Sequence, residues 1–412
     1  MALALPMWDD DELNSFEFIP EPSDPRILSA ADSSTIGHQE GWRSEVLGWD
    51  PTPVPVIAKA TRNSRRIANT GIFLIVVLIV WAIWRSQVLF IEIPPDTSEW
   101  AFEDTGAREL QGSGLTGFGV NVCMVDTGID IDHPDLENAD VVFKDFISGS
   151  NSPIEYSESS HGTMMAGILI ADGYLEGVAP DVTLGMAAAL NANDDGSNSG
   201  NENSVANAIR WCWETFDADI ISLSLGGVSN PDADRNGPTA NAVRLALANG
   251  VYVVAAAGND GGSDDDGRVA TPSDVDLAIS VGALDENGEI WSGSSLGASV
   301  NDNETNNPNL KPEISAPGVD IISTASGGEY YTSTGTSDAT VFVTGILALI
   351  LEAEPQLKDN PSLECIEDVK TALMNSAMPL ESGDSHNSKW GYGAIDGQNW
   401  LDEIRSTVVC NS

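Results

Sequence analysis

The sequence predicts an α/β domain with a mostly parallel sheet between two layers of helices, preceded by one membrane-spanning helix. Three observations carry this. From about residue 100 onward, short apolar runs alternate with stretches of helical periodicity, the pattern of a parallel sheet covered on both faces. Residues 67–84 contain no charged side chain. Three islands, Val125-Asp126-Thr127-Gly128, His161-Gly162-Thr163 and Gly335-Thr336-Ser337, set an acid, an imidazole and a hydroxyl among those runs.

The elements follow in order. Residues 1–66 are rich in acids and proline, as in Asp9-Asp10-Asp11-Glu12 and Pro51-Thr52-Pro53-Val54-Pro55. They read as a disordered cytoplasmic tail. Its apolar piece Phe16 to Ile19 is either a docking site or part of an unstructured leader. The uncharged segment 67–84 spans about 27 Å as a helix, just enough for a hydrocarbon core. Arg66 and Arg85 bracket it, and Trp81 and Trp84 suit an interfacial belt. The competing reading is a buried helix, but a surface helix of a soluble domain carries a polar face that this segment lacks. Lys59, Arg62, Arg65 and Arg66 precede it and only Arg85 follows closely. The positive-inside rule then puts the N-terminus in the cytoplasm and the rest outside the cell. Residues 85–97 read as a linker and 98–412 as the folded domain.

Within that domain, 120–125, 219–225, 251–257, 277–281 and 319–323 read as strands. Residues 204–214, 239–249 and 337–354 read as helices, and the polar stretches 191–203, 259–268 and 301–309 as loops. Ligand sites in such sheets lie beyond the carboxyl ends of the strands. Asp126 and Asn259 both fall there.

Charge excludes one class of partner. The 412 residues carry a formal net charge of -45, with a pI near 4.1. That rules out a nucleic-acid footprint. Six lysines stand against twelve arginines. Such a surface fits either a salt-adapted organism, where salt screens self-repulsion, or an acidic secreted protein.

The three islands form a chemical set. A serine hydroxyl is a weak nucleophile until an imidazole takes its proton, and the imidazole needs a carboxylate to fix its tautomer. Of the four histidines, His38, His133, His161 and His386, only His161 stands in a Gly-Thr context after an Asp-Thr-Gly turn. Chain order is informative: Asp…His…Ser is one of three orders in which the same triad occurs on unrelated folds.

Further motifs continue the series. They are Thr116-Gly117-Phe118-Gly119-Val120, Asp130-Ile131-Asp132-His133-Pro134-Asp135-Leu136, Gly177-Val178-Ala179-Pro180, Ser222-Leu223-Ser224-Leu225-Gly226-Gly227, Ala256-Ala257-Gly258-Asn259, Lys311-Pro312-Glu313-Ile314-Ser315-Ala316-Pro317-Gly318 and Trp390-Gly391-Tyr392-Gly393. Together, from about residue 100 to about residue 401, they resemble the subtilisin-like serine peptidases, the subtilases. The resemblance implies the three-layer subtilisin-like fold and a serine endopeptidase working through an acyl-enzyme on extracytoplasmic proteins or peptides. It implies Ser337 as nucleophile, His161 as general base and acid, Asp126 as its orienting carboxylate and Asn259 as oxyanion donor. Ser224, Leu225 and Gly226 are expected to pair with substrate backbone, and Ala256, Ala257 and Gly258 to floor the specificity pocket. The oligomeric state is open.

The chain also departs from the family pattern. Asp338 replaces the apolar residue usual after the nucleophile. Val341 and Phe342 stand where Pro-His is usual, and Met164 where a second histidine is common. Asp338 is the support for an alternative reading, a catalytically inactive relative that only binds peptides. The short stretch after residue 84 leaves no room for a folded inhibitory propeptide. No cofactor is certain, and calcium is possible. Asp135 matches a family calcium-ligand position, yet the path from His161 to Val178 is short and the loop that supplies most ligands is missing. Residues 232–237 resemble half of an EF-hand loop, but Val243 stands where its glutamate belongs, so a solvated acidic loop is the better reading. Cys123 and Cys212 read as buried, free packing residues. Cys365 and Cys410 can form a disulfide, with the pairing left open.

Overall fold

The computed structural model describes residues 27–29, 49–53, 97–193, 198–226, 237–263, 265–297, 307–359, 361–381 and 386–410, the first two segments by backbone alone. The chain divides into two compact units, 1–53 with 98–412, and 54–97. Only Thr97 of the second is described, so the expected span 67–84 and nearly all of the linker 85–97 lie outside the described residues, as does most of 232–237.

The first unit opens with β1 (Ile27–Ser29), β2 (Trp49–Pro53), α1 (Glu99–Asp104), α2 (Ala107–Gly112), β3 (Asn121–Asp126) and β4 (Val141–Asp145). It continues with α3 (His161–Ile170), β5 (Thr183–Ala188), β6 (Asn191–Ala192), β7 (Asn198–Asn201), α4 (Glu202–Glu214), β8 (Ile220–Leu223), α5 (Pro238–Ala248) and β9 (Tyr252–Ala256). Then come β10 (Ile279–Leu284), β11 (Ile314–Pro317), β12 (Ile321–Ala325), β13 (Glu329–Ser333), α6 (Thr336–Ala353), α7 (Leu363–Ser376) and α8 (Gly397–Thr407).

Seven strands form one sheet in the order β11-β10-β9-β8-β3-β5-β4, and every pairing in it is parallel. The chain enters at β3, fills one side with β4 and β5, then crosses to fill the other with β8 to β11. Strand order therefore reverses at β3, and such a switch point opens a crevice at the carboxyl ends. Asp126 is the last residue of β3. The strands β8, β9, β10 and β11 are buried at every residue, which is why they read as continuous apolar runs.

Helix α6 lies across β8 to β11 and packs against α3. By length and composition it could cross a membrane, but its apolar residues are enclosed by the domain. It is the core helix, and its first turn delivers Thr336, Ser337 and Asp338 to the crevice.

Most expected elements appear within two or three residues. The exception is 319–323: it joins a separate antiparallel sheet, β12-β13-β2. Strands β4 and β5 lie outside the expected set; β4 reads Val-Val-Phe-Lys-Asp with alternating burial, and β5 has a weak signal. β5 reads Thr-Leu-Gly-Met-Ala-Ala, poor in β-branched residues. Its Gly185 is required because a Cβ there would come within 2.8 Å of the Phe216 ring. Part of the expected loop 191–203 instead forms the β6–β7 hairpin.

Two strands fall within 1–66. β1 runs antiparallel to β7, with Leu28 opposite Gly200, and β2 runs antiparallel to β13, with Trp49 opposite Ser333.

The cysteines correct one expectation. Cys123 and Cys212 are not free but joined in a disulfide that ties β3 to α4. Each is fully buried, so apolar surroundings in the sequence could not distinguish a thiol from a bridge. Cys365 and Cys410 form the second disulfide.

Candidate active site

The switch point brings Asp126 and His161 together. His161 Nδ1 lies 2.6 Å from Asp126 Oδ1, with the two residues 0% and 1% exposed. The Asp-Thr-Gly turn serves this pair. The Thr127 N–H donates to Asp126 Oδ1 at 2.7 Å, and Thr127 Oγ1 accepts from the Gly162 N–H at 2.8 Å. Gly162 allows the approach: a Cβ there would meet the Gly128 carbonyl at 2.1 Å.

Sequence reasoning missed Glu155. Its carboxylate accepts from the Thr163 N–H and hydroxyl at 2.9 and 2.8 Å, which pins the first turn of α3. The Ser157 N–H donates to its other oxygen. Burial opposes a charge on His161, but Asp126, Asp338 and Glu155 outweigh it and hold the imidazole above its ordinary value.

Ser337 sits in the first turn of α6, 1% exposed. Its hydroxyl donates to the Ser224 carbonyl at 3.4 Å, and the Ser224 hydroxyl donates to the Ser337 carbonyl at 3.2 Å. Asn259 reaches the same turn. Its Oδ1 accepts from the Thr336 N–H at 3.0 Å and from Thr336 Oγ1 at 2.8 Å. Two donors on Oδ1 fix which end of the amide is nitrogen and turn that nitrogen away from Thr336. Thr336, another residue not singled out by sequence, thus positions the amide.

Ser224, Leu225 and Gly226 directly follow β8. Leu225 is 0% exposed and belongs to the core, so its side chain is not a substrate contact. Ala256 ends β9, Ala257 and Gly258 follow it, and all three are buried. Ala270 lies behind both segments: a Cβ on Gly226 would meet its Cβ at 2.6 Å, and one on Gly258 at 3.0 Å. The Ala270 N–H donates to the Ala257 carbonyl at 2.6 Å.

Asp338 is 1% exposed. The Ser333 hydroxyl donates to its Oδ1, and Oδ2 has no hydrogen-bond partner among the described residues. Burial pushes its carboxyl up to about 7, against the pull of Ser333 and His161.

Asp135 does not fit a calcium ion. Its carboxylate accepts from the N–H groups of Tyr174 and Leu175 at 2.8 and 3.0 Å and from the Tyr330 hydroxyl at 2.9 Å. A calcium site needs six to eight oxygen ligands with free lone pairs, whereas hydrogen donors surround this oxygen pair. Among the described residues no group of three or more His, Cys, Asp and Glu could hold a metal ion.

Comparison with known proteins places this geometry in context. The model of the Subtilase family of peptidases matches residues 117–393. Serine protease AprX of Bacillus subtilis (strain 168) is 34% identical over 334 residues, 73% of this chain and 70% of the relative. Subtilisin DY of Bacillus licheniformis is 35% identical over 274 residues, 66% of this chain and 90% of the relative. The major intracellular serine protease of Bacillus subtilis (strain 168) is 32% identical over 281 residues, 67% and 81% respectively.

Proposed function

The chain belongs to the subtilase family of serine endopeptidases, and from that premise we propose that Asp126, His161 and Ser337 are its catalytic triad, with Asn259 as oxyanion donor. The observation that carries the assignment is the buried 2.6 Å bond between His161 Nδ1 and Asp126 Oδ1. That bond leaves Nε2 as the basic nitrogen.

The reaction follows. The Ser337 hydroxyl turns from the Ser224 carbonyl to His161 and gives its proton to Nε2 as Oγ attacks the peptide carbonyl. The negative oxygen of the tetrahedral intermediate accepts from the Asn259 amide and the Ser337 N–H at the start of α6. His161 then protonates the leaving amine. Water, deprotonated by His161, hydrolyses the acyl-enzyme and restores Ser337. Ser224 and Gly226 offer backbone groups to an extended substrate, and Ala256, Ala257, Gly258 and Ala270 shape the side-chain pocket. A fluorophosphonate probe tests the site: labelling at Ser337 supports an active enzyme. A purified, folded chain that stays unlabelled returns the reading to an inactive peptide-binding relative.

The proposal includes attachment through 67–84, with 1–66 in the cytoplasm and 98–412 outside the cell. It rests on the uncharged segment and its flanking basic residues, and two disulfides in the domain suit an oxidising compartment. The family alone does not decide, since one relative is named an intracellular protease. A specific observation favours a second reading. The pairing of β1 with β7 and of β2 with β13 needs 27–53 and the domain in one compartment, which a single crossing between them forbids. Protease protection of tags placed before Lys59 and after Ile91 decides. Opposite sides support the span, and the same side supports the second reading.

A further inference from the structure

Resting on the triad assignment above, we propose that Ala270 sets the substrate class. Its methyl closes the side-chain pocket at depth, so the enzyme cleaves after small residues such as alanine and serine, and not after aromatic or long aliphatic ones. The pocket follows from the ends of two strands. β8 and β9 pair in parallel from Ile220 opposite Tyr252 to Leu223 opposite Ala255. Beyond that register the two chains part. Ala256 and Ala257 stay with β10: Ala256 lies opposite Val281, and the Ala257 N–H donates to the Val281 carbonyl at 3.0 Å. Ser224 turns to α6, where it exchanges hydrogen bonds with Ser337. A slot between 224–226 and 256–258 thus lies beside the nucleophile and Asn259. The residue whose carbonyl is attacked puts its side chain there.

Ala270 lies across this slot. A Cβ added to Gly226 would come within 2.6 Å of the Ala270 Cβ, and one added to Gly258 within 3.0 Å. An added Cβ stands about 1.5 Å from its own Cα, so the methyl is no more than about 4.1 Å and about 4.5 Å from the two glycine Cα atoms. That is van der Waals contact with both walls at once. Two glycine walls alone would admit a large side chain, and the methyl, contributed from outside either strand, limits its depth.

The methyl is also held in place. The Ala270 N–H donates to the Ala257 carbonyl at 2.6 Å, so the pocket wall itself anchors the residue. The Ala270 carbonyl accepts from the Ser273 N–H and hydroxyl at 2.9 and 2.8 Å. Ala270 is 6% exposed and Ser273 0%. Gly226, Gly258 and Ala270 have no rotamer to change. Space for a larger side chain comes only from backbone movement against these hydrogen bonds, which a packed interior resists.

The test is kcat/KM on four chromogenic peptides that differ only in the residue before the scissile bond: alanine, serine, leucine or phenylalanine. Wild type is expected to favour alanine and serine over leucine and phenylalanine by about tenfold or more. In Ala270→Gly the methyl is gone, and the ratio of phenylalanine to alanine is expected to rise by about 10–200-fold, the range known for one methylene in an apolar pocket. A merely structural loosening would lower all four rates together and leave that ratio unmoved. An unmoved ratio in the folded variant overturns the proposal, and so does a wild type that prefers leucine or phenylalanine. If Ala270→Gly fails to fold, the wild-type order decides, together with inhibition by peptide aldehydes ending in alanine or phenylalanine. Tighter inhibition by the alanine aldehyde supports the proposal, and tighter inhibition by the phenylalanine aldehyde overturns it. Failure of the triad looks different: a folded chain that hydrolyses none of the four peptides and takes no fluorophosphonate label withdraws the triad, and this proposal with it.

Discussion

Two clusters of buried charge in the molecule differ in the balance of their charges. Behind β10 and β11, Lys370 of α7 lies 2.6 Å from Glu313 Oε1 and donates to the Ala278 carbonyl and Asn309 Oδ1 at 2.9 and 2.8 Å. Lys311 lies 2.9 Å from the same Glu313 oxygen and donates to the carbonyls of Val275 and Ala278. Each ammonium thus has three oxygens in reach, one for each N–H. Around His161, Asp126 bonds the imidazole, Asp338 and Glu155 add to its raised basicity, and among the described residues Asp338 Oδ2 has no hydrogen-bond partner. The difference separates fold from chemistry. Two ammonium groups stand against one carboxylate at Glu313, although burial also lowers Lys370 to about 7, whereas at His161 acidic groups outnumber the imidazole and raise it.

The sharpest way to break this comparison is at the nucleophile. Ser337→Ala is expected to cut turnover of a chromogenic peptide by several orders of magnitude while melting and circular dichroism stay as in wild type. Measurable turnover in the purified variant would remove Ser337 from the mechanism. At the other cluster the effects exchange. Lys370→Met leaves Glu313 with one cation fewer and is expected to cost about 3–5 kcal/mol in urea unfolding. The folded fraction should retain wild-type kcat/KM, so a loss of activity without a loss of stability would show that the two clusters are not separate.

Asn259→Ala is next in size. It is expected to lower kcat by about 10²–10³-fold with little change in KM, the size known for a side-chain oxyanion donor in a subtilisin. Parallel changes in KM would instead make Asn259 a ground-state contact. A smaller, pH-dependent effect concerns Asp338. Its carboxyl is raised from 3.8 to about 7, so between those values the folded chain binds more protons than the unfolded one. Stability from this group is present below about pH 4 and is lost as pH rises toward 7. The stability of wild type relative to D338N should fall across that window. A constant difference would mean that Asp338 is ionised throughout.

The smallest effect is expected at Asp135. Chelator should leave the melting temperature unchanged, because N–H and O–H donors occupy the carboxylate. A drop of several degrees in calorimetry would show a bound cation.

Much of the site was legible because it is local. Asp126 ends an apolar run, His161 opens a helix, and Ser337 is the second residue of the long apolar helix α6. Strand β5 was not legible, because it is poor in β-branched residues and its Gly185 is dictated by Phe216, a distant neighbour. Glu155 and Thr336 were missed for the same reason. Their roles lie in what their oxygens bond, and nothing beside them in the chain marks it.

The sequence by itself determined the α/β alternation, the order of the three reacting residues and the excess of negative charge, since each depends on residue type and spacing alone. Tertiary structure decided the rest. It joined Cys123 to Cys212, filled Asp135 with hydrogen donors, and left Asp338 buried with one oxygen unmet among the described residues. The reason is physical. Pairing and desolvation depend on which groups arrive from other elements, and residues far apart in the chain, such as Asp135 and Tyr330, meet only after the sheet and its helices have closed.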